Sequence, residues 1–409
     1  MPKTVWAFAG FRFSRARGLE QNGMAIPLQA KPRGLLELLL RAEGDVVEKD
    51  TIAAALWGAD APTDASIARA VSGLRKALGA EAEIIRAVYG VGVQLTCPVV
   101  ATHSRTEQEQ EVLAQLLRTA WEVAESRLPQ GYNRAIATLN YTVHRFPDAA
   151  RAWALLAHAH ASRAIRNLTS PSQAAASIHD CCEKALLADP ACAEALAVSG
   201  MALGLFQGRS AEGIARLDKA MQGTTDWPAF VYRAWLQIGQ RDLAGAMAHV
   251  EHGLVLTPFS RSLLEMKAFI LLYQGRLETG DRFARDRQTV RDDADGLWIA
   301  RSIIATERGD LAGGCLLAER AAHLMEHSRQ SASYLAYAYA KAGQTDRART
   351  LLTGIERGLR GHIPALLAAP YLALGDRDKA RAVLAAAKAE HCPHAAAAWC
   401  DPRLAPLAG

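Results

Sequence analysis

Aromatic residues are scarce in this sequence, at 6% of 409 residues. That argues against a large β-sandwich core and, with abundant alanine, favours helices packed through small contacts. Neither sign of charge dominates: 47 Lys and Arg stand against 42 Asp and Glu, a net charge of +5. Bulk electrostatics therefore do not announce a nucleic-acid binder. No stretch reaches the roughly 18 apolar residues that a membrane span needs. The nearest, Ile363 to Leu374, is broken by Pro364 and Pro370. Met1 to Gly10 lacks the charged-then-apolar order of a secretion signal, so a cytoplasmic location with no membrane contact is expected. The seven cysteines, Cys97, Cys181, Cys182, Cys192, Cys315, Cys392 and Cys400, are odd in number and repeat no spacing. That argues against a disulfide framework and fits a reducing compartment.

What is present begins with short alternations. Val5-Trp6-Ala7-Phe8 and Phe11-Arg12-Phe13 alternate around Gly10 as short strands do, and a third strand is expected about Ala25–Leu28 after the turn signal Asn22-Gly23. The period then changes. Ala30–Ala42 reads as a leucine-rich helix with Pro32 in its first turn and Gly44 closing it. A second helix is predicted over Lys49–Trp57, then a loop with Gly58 and Pro62. A third is predicted over Ser66–Leu78, capped by Asp64 or Ser66 and stopped by Gly79. In that third helix Ile67, Val71, Leu74 and Leu78 form one apolar stripe, and Ala68, Arg69, Ser72, Arg75 and Lys76 lie opposite. Ile84–Val88, a Tyr89-Gly90 turn and Val91–Leu95 read as a hairpin. Strands, three helices and a terminal hairpin describe a winged helix. A helix about 10–12 Å across fits the major groove, and small side chains on its outer face let it approach base edges.

The strings LLELLLRAEGDVVEKDTIAAALWG, SIARAVSGLRKALG and IIRAVYGVGVQL follow in that order and resemble the effector domain of OmpR/PhoB-type regulators over roughly 90 residues. That family has an apolar first helix, a Gly-x-Val-Val-like turn, a helix ending in Leu-Trp, a Leu-Arg-x-x-Leu recognition helix and an Arg-x-x-x-Gly-x-Gly wing. The resemblance implies a winged helix-turn-helix over 1–98 that binds double-stranded DNA. Arg69, Ser72, Gly73, Arg75 and Lys76 would face it from the recognition helix, and Arg86 and Tyr89 from the wing. Ser72 and Gly73 stand where many relatives carry larger, often basic, readers. Tyr89 replaces a frequent wing arginine and Val93 a frequent tyrosine. Residues 1–100 hold 12 Lys and Arg against 10 Asp and Glu, a balance of only +2, so weak affinity of a single copy is expected. No phosphorylatable receiver is expected before a domain that starts almost at Met1. Relatives so arranged include membrane-anchored CadC- or ToxR-like sensors and soluble HilA-like regulators, and the missing apolar span points to the latter.

Residues 99–110, polar and without an apolar period, read as a linker into a helix about Thr106–Leu128. Over 111–409 the chain repeats. Trp153, Leu196, Phe230, Leu264 and Trp298 are spaced 43, 34, 34 and 34, each followed four residues later by a small residue: Ala157, Gly200, Ala234, Ala268 and Ser302. Ala246, Gly280, Gly314 and Ala348 form a second small series every 34 residues, and Pro147, Pro190 and Pro258 sit six residues before a bulky position. This pattern resembles the tetratricopeptide repeat and implies an α-solenoid of about seven repeats, with the extra length of the first interval placed in the loop Asn167–Ser172. The fold class expected for the whole chain is thus mainly α, a small α+β winged helix followed by a solenoid. A solenoid of this kind implies a concave face for a protein or peptide partner, or a means of homo-oligomerisation.

Chemistry is harder to find. Gly90-Val91-Gly92 lacks the Lys-Ser/Thr that would make it a phosphate loop. His323 and His327 are spaced to share a helix face but lack a metalloprotease pattern, and His391, Cys392, His394 and Cys400 make a weak zinc pattern. Cys181-Cys182 reads as packing, and His158 and His160 as pointing in different directions. No catalytic constellation, cofactor or metal is expected. The reading is a one-component transcription regulator. The alternative within the class is a relative of the antibiotic regulatory proteins, whose helical array is shorter. The alternative from another class is an assembly adaptor whose winged helix contacts protein rather than DNA.

Overall fold

The computed structural model describes residues 4–15, 17–21, 23–58, 64–103, 106–223, 227–358 and 364–407. It divides into two compact units, Met1–Ala114 and Gln115–Gly409. In the first, β1 (Thr4–Phe8) and β2 (Phe11–Ser14) pair antiparallel, with Phe8 opposite Phe11. Their alternation sends Trp6, Phe8, Phe11 and Phe13 into one core. Two further strands follow where one was expected: β3 (Gly18–Gln21) and β4 (Met24–Ile26). β3 has a single core residue, Leu19, which left no alternation to read. Of the turn signal between them, Asn22 lies outside the described residues.

The helix α1 (Ala30–Arg41) buries Leu35, Leu36, Leu39 and Leu40 completely. The two-residue strand β5 (Val47–Glu48) leads into α2 (Lys49–Trp57). Pro62 of the next loop lies outside the described residues. Then come α3 (Asp64–Leu78), β6 (Ile85–Val88) and β7 (Gly92–Leu95). The hairpin β6–β7 is joined by β5 in a small sheet of order β5-β7-β6. The stretch expected as a plain linker contributes a strand, β8 (Val100–His103), which pairs antiparallel with β1. Backbone bonds carry that pairing, so the polar composition of the stretch did not reveal it.

The helix α4 (Glu107–Glu125) runs from the end of the first unit into the second, where α5 (Pro129–Arg145) follows and the rest is a run of helix pairs. These are α6 (Ala150–Ile165) with α7 (Pro171–Ala188), α8 (Ala193–Met201) with α9 (Ser210–Gly223), and α10 (Trp227–Gly239) with α11 (Leu243–Leu256). Next are α12 (Arg261–Tyr273) with α13 (Leu277–Gln288), and α14 (Asp295–Glu307) with α15 (Leu311–Leu324). The last are α16 (Arg329–Lys341) with α17 (Thr345–Arg357), and α18 (Ala368–Ala373) with α19 (Arg377–Ala389). The region is a tetratricopeptide-like helical repeat. Each bulky residue of the 34-residue series lies in the first helix of a pair, and the second small series lies in the second helices. The small residues sit at crossings: a Cβ on Gly200 would lie 2.7 Å from the Gly213 carbonyl oxygen of α9, so only glycine admits that approach. Ser302 donates its hydroxyl hydrogen bond to the Gly314 carbonyl, 2.7 Å away, across α14 and α15. The longer first interval is mostly not a loop insertion. The helices α6 and α7 run 16 and 18 residues, where α10 and α11 run 13 and 14. Ser170 caps α7 and so marks its start rather than a long loop.

One buried ionic cluster ties distant repeats of the second unit together. Asp295, at 1% exposure, accepts from Arg261 at 2.6 Å, Arg166 at 3.0 Å and Arg127 at 3.4 Å. Arg127, in the turn between α4 and α5, also meets Glu265 of α12 at 2.6 Å. The C-terminal segment closes on the same region: His394 bonds the Ile165 carbonyl at 2.9 Å and Trp399 donates to that of Ile238 at 2.8 Å. The C-terminal segment thus packs back against α6 and α10. Burial alone would push the Asp295 carboxyl up, but the guanidinium groups of Arg166, Arg127 and Arg261 hold it well below the usual carboxylate range. Breaking such a cluster from one side leaves uncompensated buried charge, so Asp295→Asn is expected to cost about 3–5 kcal/mol in urea unfolding. A loss under about 1 kcal/mol would show that the cluster does not hold the array.

Burial, with the Arg127 charge second, pushes His158 down to about 4. In an unfolded chain histidine titrates near 6.5. Between those values the unfolded chain binds more protons, so stability present at pH 7 falls as pH drops from about 6.5 to about 4, by about 3 kcal/mol. The Asp295 contribution is lost lower still, below about 4. His158→Gln is expected to flatten the upper window in pH-dependent chemical denaturation. An unchanged slope would assign the acid sensitivity elsewhere.

Candidate nucleic-acid interface

The exposed face of α3 is set by its periodicity. Ile67, Ala70, Val71, Leu74 and Leu78 are buried, which turns Ala68, Arg69, Ser72, Arg75 and Lys76 outward. These residues differ in what they can offer a ligand. Among the described residues Arg69 donates only to the Ala65 carbonyl of its own helix, at 3.2 Å, so its charge is available. Arg75 is committed: Nε and Nη2 donate to the Ile85 carbonyl at 3.1 and 2.6 Å, clamping the start of β6 against α3. Gly73 does not face outward. A Cβ there would lie 2.9 Å from Pro32 Cγ, so the glycine lets α3 pack closely on α1. This gives a reason for a mid-helix glycine that costs about 1 kcal/mol in propensity.

The hairpin β6–β7 is the wing. Val91 N–H bonds the Val88 carbonyl at 3.1 Å, with Gly90 at φ +74°, and this tight turn leaves Tyr89 fully exposed. Arg86 is exposed and stands opposite Gln94, which donates to the Gly44 carbonyl at 2.7 Å and anchors the base of the wing. Lys49 and Asp64 pair at 3.1 Å, joining the starts of α2 and α3. Sequence reasoning missed the anchor Gln94 and the clamp role of Arg75, because neither follows from periodicity. Together, α3 and the wing can offer cationic, hydroxyl and aromatic groups on surfaces shallow enough for close approach.

The other sequence candidates are dispersed. α15 ends at Leu324, so His327, at φ +52°, does not share a helix with His323. His394 is bound to Ile165, the Cys392 thiol to Asn167 at 3.9 Å and the Cys400 thiol to the Ala397 carbonyl at 3.2 Å. Among the described residues no group of three or more His, Cys, Asp or Glu is placed to hold a metal ion. Burial pushes the Cys181 and Cys182 thiols up to about 12, which leaves them unreactive near neutrality. His158 Nδ1 and the Tyr232 hydroxyl share a buried hydrogen bond at 2.7 Å, while His160 is only half-buried. No described helix is long and apolar enough to cross a membrane.

Residues 23–95 match the family model described as transcriptional regulatory protein, C terminal. The N-terminal unit carries an OmpR/PhoB-type winged helix. No curated protein matches the chain. Among solved structures the chain is similar to a tetratricopeptide repeat protein from Parabacteroides merdae, at 15% identity over 54% of this chain and 88% of that one, with TM-score 0.40. It is also similar to Pseudomonas aeruginosa pilF, at 16% identity over 48% and 91%, with TM-score 0.36. Yeast Tom70 is similar at 12% identity over 72% and 64%, with TM-score 0.44.

The wing depends on one close approach. A Cβ on Gly92 would lie 2.0 Å from the Val47 carbonyl oxygen, which is backbone and cannot turn away. Gly92→Ala is therefore expected to destabilise the first unit by about 1–3 kcal/mol and to loosen the pairing of β5 with β7. Amide exchange should show faster exchange at Lys49, whose N–H bonds the Val91 carbonyl. Unchanged protection there would refute the account.

Proposed function

We propose that the protein is a cytoplasmic transcription regulator of one-component type. Its winged helix reads double-stranded operator DNA, and its repeat array binds a partner or mediates homo-oligomerisation. The observation that carries this reading is the outward face of α3, where Ala68 and Ser72 lie among Arg69 and Lys76 beside a wing bearing Arg86 and Tyr89. The match of residues 23–95 to a regulator family supports it. Arg69 and Lys76 would contact phosphate or base edges from the major groove, and Arg86 and Tyr89 the backbone beside it. Arg75 holds the reading surface together and Gly73 sets its distance from α1. On the repeat unit, Val255, Phe259 and Val290 are 78%, 61% and 56% exposed, which supports a protein contact. Neither family is enzymatic in its shared chemistry, and no catalytic role is proposed.

Mobility shift of promoter fragments by the full chain, over a salt series, tests the reading. Affinity is expected to fall steeply with salt. Lys76→Ala and Arg86→Ala should each weaken binding and lower the slope of log affinity against log salt by about 1. Folded protein that retards no fragment at about 50 mM salt would sink the proposal and favour the adaptor reading.

A further inference from the structure

A cavity of about 150 Å³ lies among the first helices of the repeat pairs in the second unit. It is bordered by His158 of α6, Tyr232 and Trp235 of α10, Trp121 of α4, Tyr132 of α5 and Arg166 just after α6. One wall is aromatic: the Trp121 ring lies 5.4 Å from that of His158, which lies 6.2 Å from that of Tyr232. The neighbouring wall is the ionic cluster around Asp295.

The donors and acceptors of that cluster do not balance at the cavity. Both carboxylates are taken up. Asp295 accepts from three arginines, and Glu265 accepts from Arg127, Arg261 and the Gly296 N–H. Arg166, by contrast, spends only Nη1, on Asp295 Oδ2 at 3.0 Å, Gln330 Oε1 at 3.3 Å and Met325 Sδ at 3.9 Å. Its Nε and Nη2 have no acceptor among the described residues, though the side chain is only 12% exposed. The Tyr132 hydroxyl, on a residue 4% exposed, has none either. Nε and Nη2 form the side-on edge of a guanidinium, two parallel N–H groups that match a carboxylate. A cavity of this size holds roughly a benzene-sized body and excludes a helix or a nucleotide.

We propose that this cavity binds a small monocarboxylic acid with an aromatic or compact apolar body. Its carboxylate sits on the free edge of Arg166 beside the Tyr132 hydroxyl, and its body lies against Trp121, His158 and Tyr232. The aromatic wall supplies dispersion contact, and the Arg166 and Tyr132 donors bordering the cavity gain an acceptor that no described residue gives them. A ligand here contacts α4, α5, α6 and α10 at once, so its binding stabilises the folded array. The inference does not rest on DNA binding and is tested without it.

The test titrates the full chain with sodium benzoate, phenylacetate and hexanoate, read by calorimetry and by tryptophan fluorescence. Benzamide serves as the neutral counterpart. Benzylamine tests whether Glu125, which also borders the cavity, reverses the preference. Saturable one-to-one binding is expected for at least one acid, about ten-fold or more tighter than for benzamide or benzylamine. Arg166→Gln should weaken it about ten-fold. Because that change also removes a partner of Asp295, Tyr132→Phe provides the second variant. It removes one hydroxyl, keeps the ring, and should weaken binding about three- to ten-fold. Absence of saturable binding by any of the three acids at about 10 mM would overturn the proposal. So would equal affinity for amide or amine, or unchanged affinity in folded Tyr132→Phe protein.

Discussion

The second unit depends on the charge of one aspartate. Asp295 opens α14, is 1% exposed and receives three guanidinium groups from other parts of the unit. A helical repeat normally derives its stability from neighbour contacts alone and behaves as a one-dimensional stack. Here Arg127 reaches Asp295 across 168 residues of sequence, and Gln130 reaches Glu326 across 196. Such links couple pairs that do not touch in a simple stack, so substitutions in α5, α12 and α14 are not expected to add independently.

The first unit is governed by close approach rather than charge. Gly73 against Pro32 fixes how near α3 comes to α1, and Gly92 against Val47 fixes the wing to β5. Arg75 then joins helix to wing through the Ile85 carbonyl. These three contacts hold the two presenting surfaces in a fixed relation within the unit. A reading surface of few cations gains more from such rigidity than one rich in them, because its contacts must be made without further ordering cost.

The three helices of the winged helix were legible because leucine and isoleucine recur at helical spacing and Pro32 and Gly79 mark their ends. The strands β3, β5 and β8 were not. They have two to four residues each, and backbone pairing rather than side-chain alternation makes them. The 34-residue repeat was legible because small residues must recur where helices cross. Its longer first interval was misplaced into a loop because Asn167, Ser170 and Pro171 carry strong turn chemistry, whereas two lengthened helices carry no punctuation. The outward set on α3 followed from spacing, but glycine has no side chain to point, so only the structure turns Gly73 toward Pro32. The ionic cluster was only partly marked: Arg261 and Asp295 stand one 34-residue period apart and Arg261 and Glu265 one helical turn apart, but Arg127 and Arg166 lie off that period, and each alone reads as a solvated charge.

The commitment of Arg75 and Gly73 narrows what the winged helix can do alone. Of the five recognition-helix residues, Arg69 and Lys76 remain as outward cations, with Arg86 added from the wing. Each phosphate neutralised releases counterions, so a surface with about three available cations gains only a short salt-dependent term. On the proposed reading, non-specific affinity is then low, and a single copy would have little with which to hold DNA. Two copies on adjacent sites convert the second contact into an intramolecular one and raise affinity without any new side chain. A sparse reading face is therefore physically consistent with a regulator that works as a linked pair, and the long repeat unit is where such linkage has room to act.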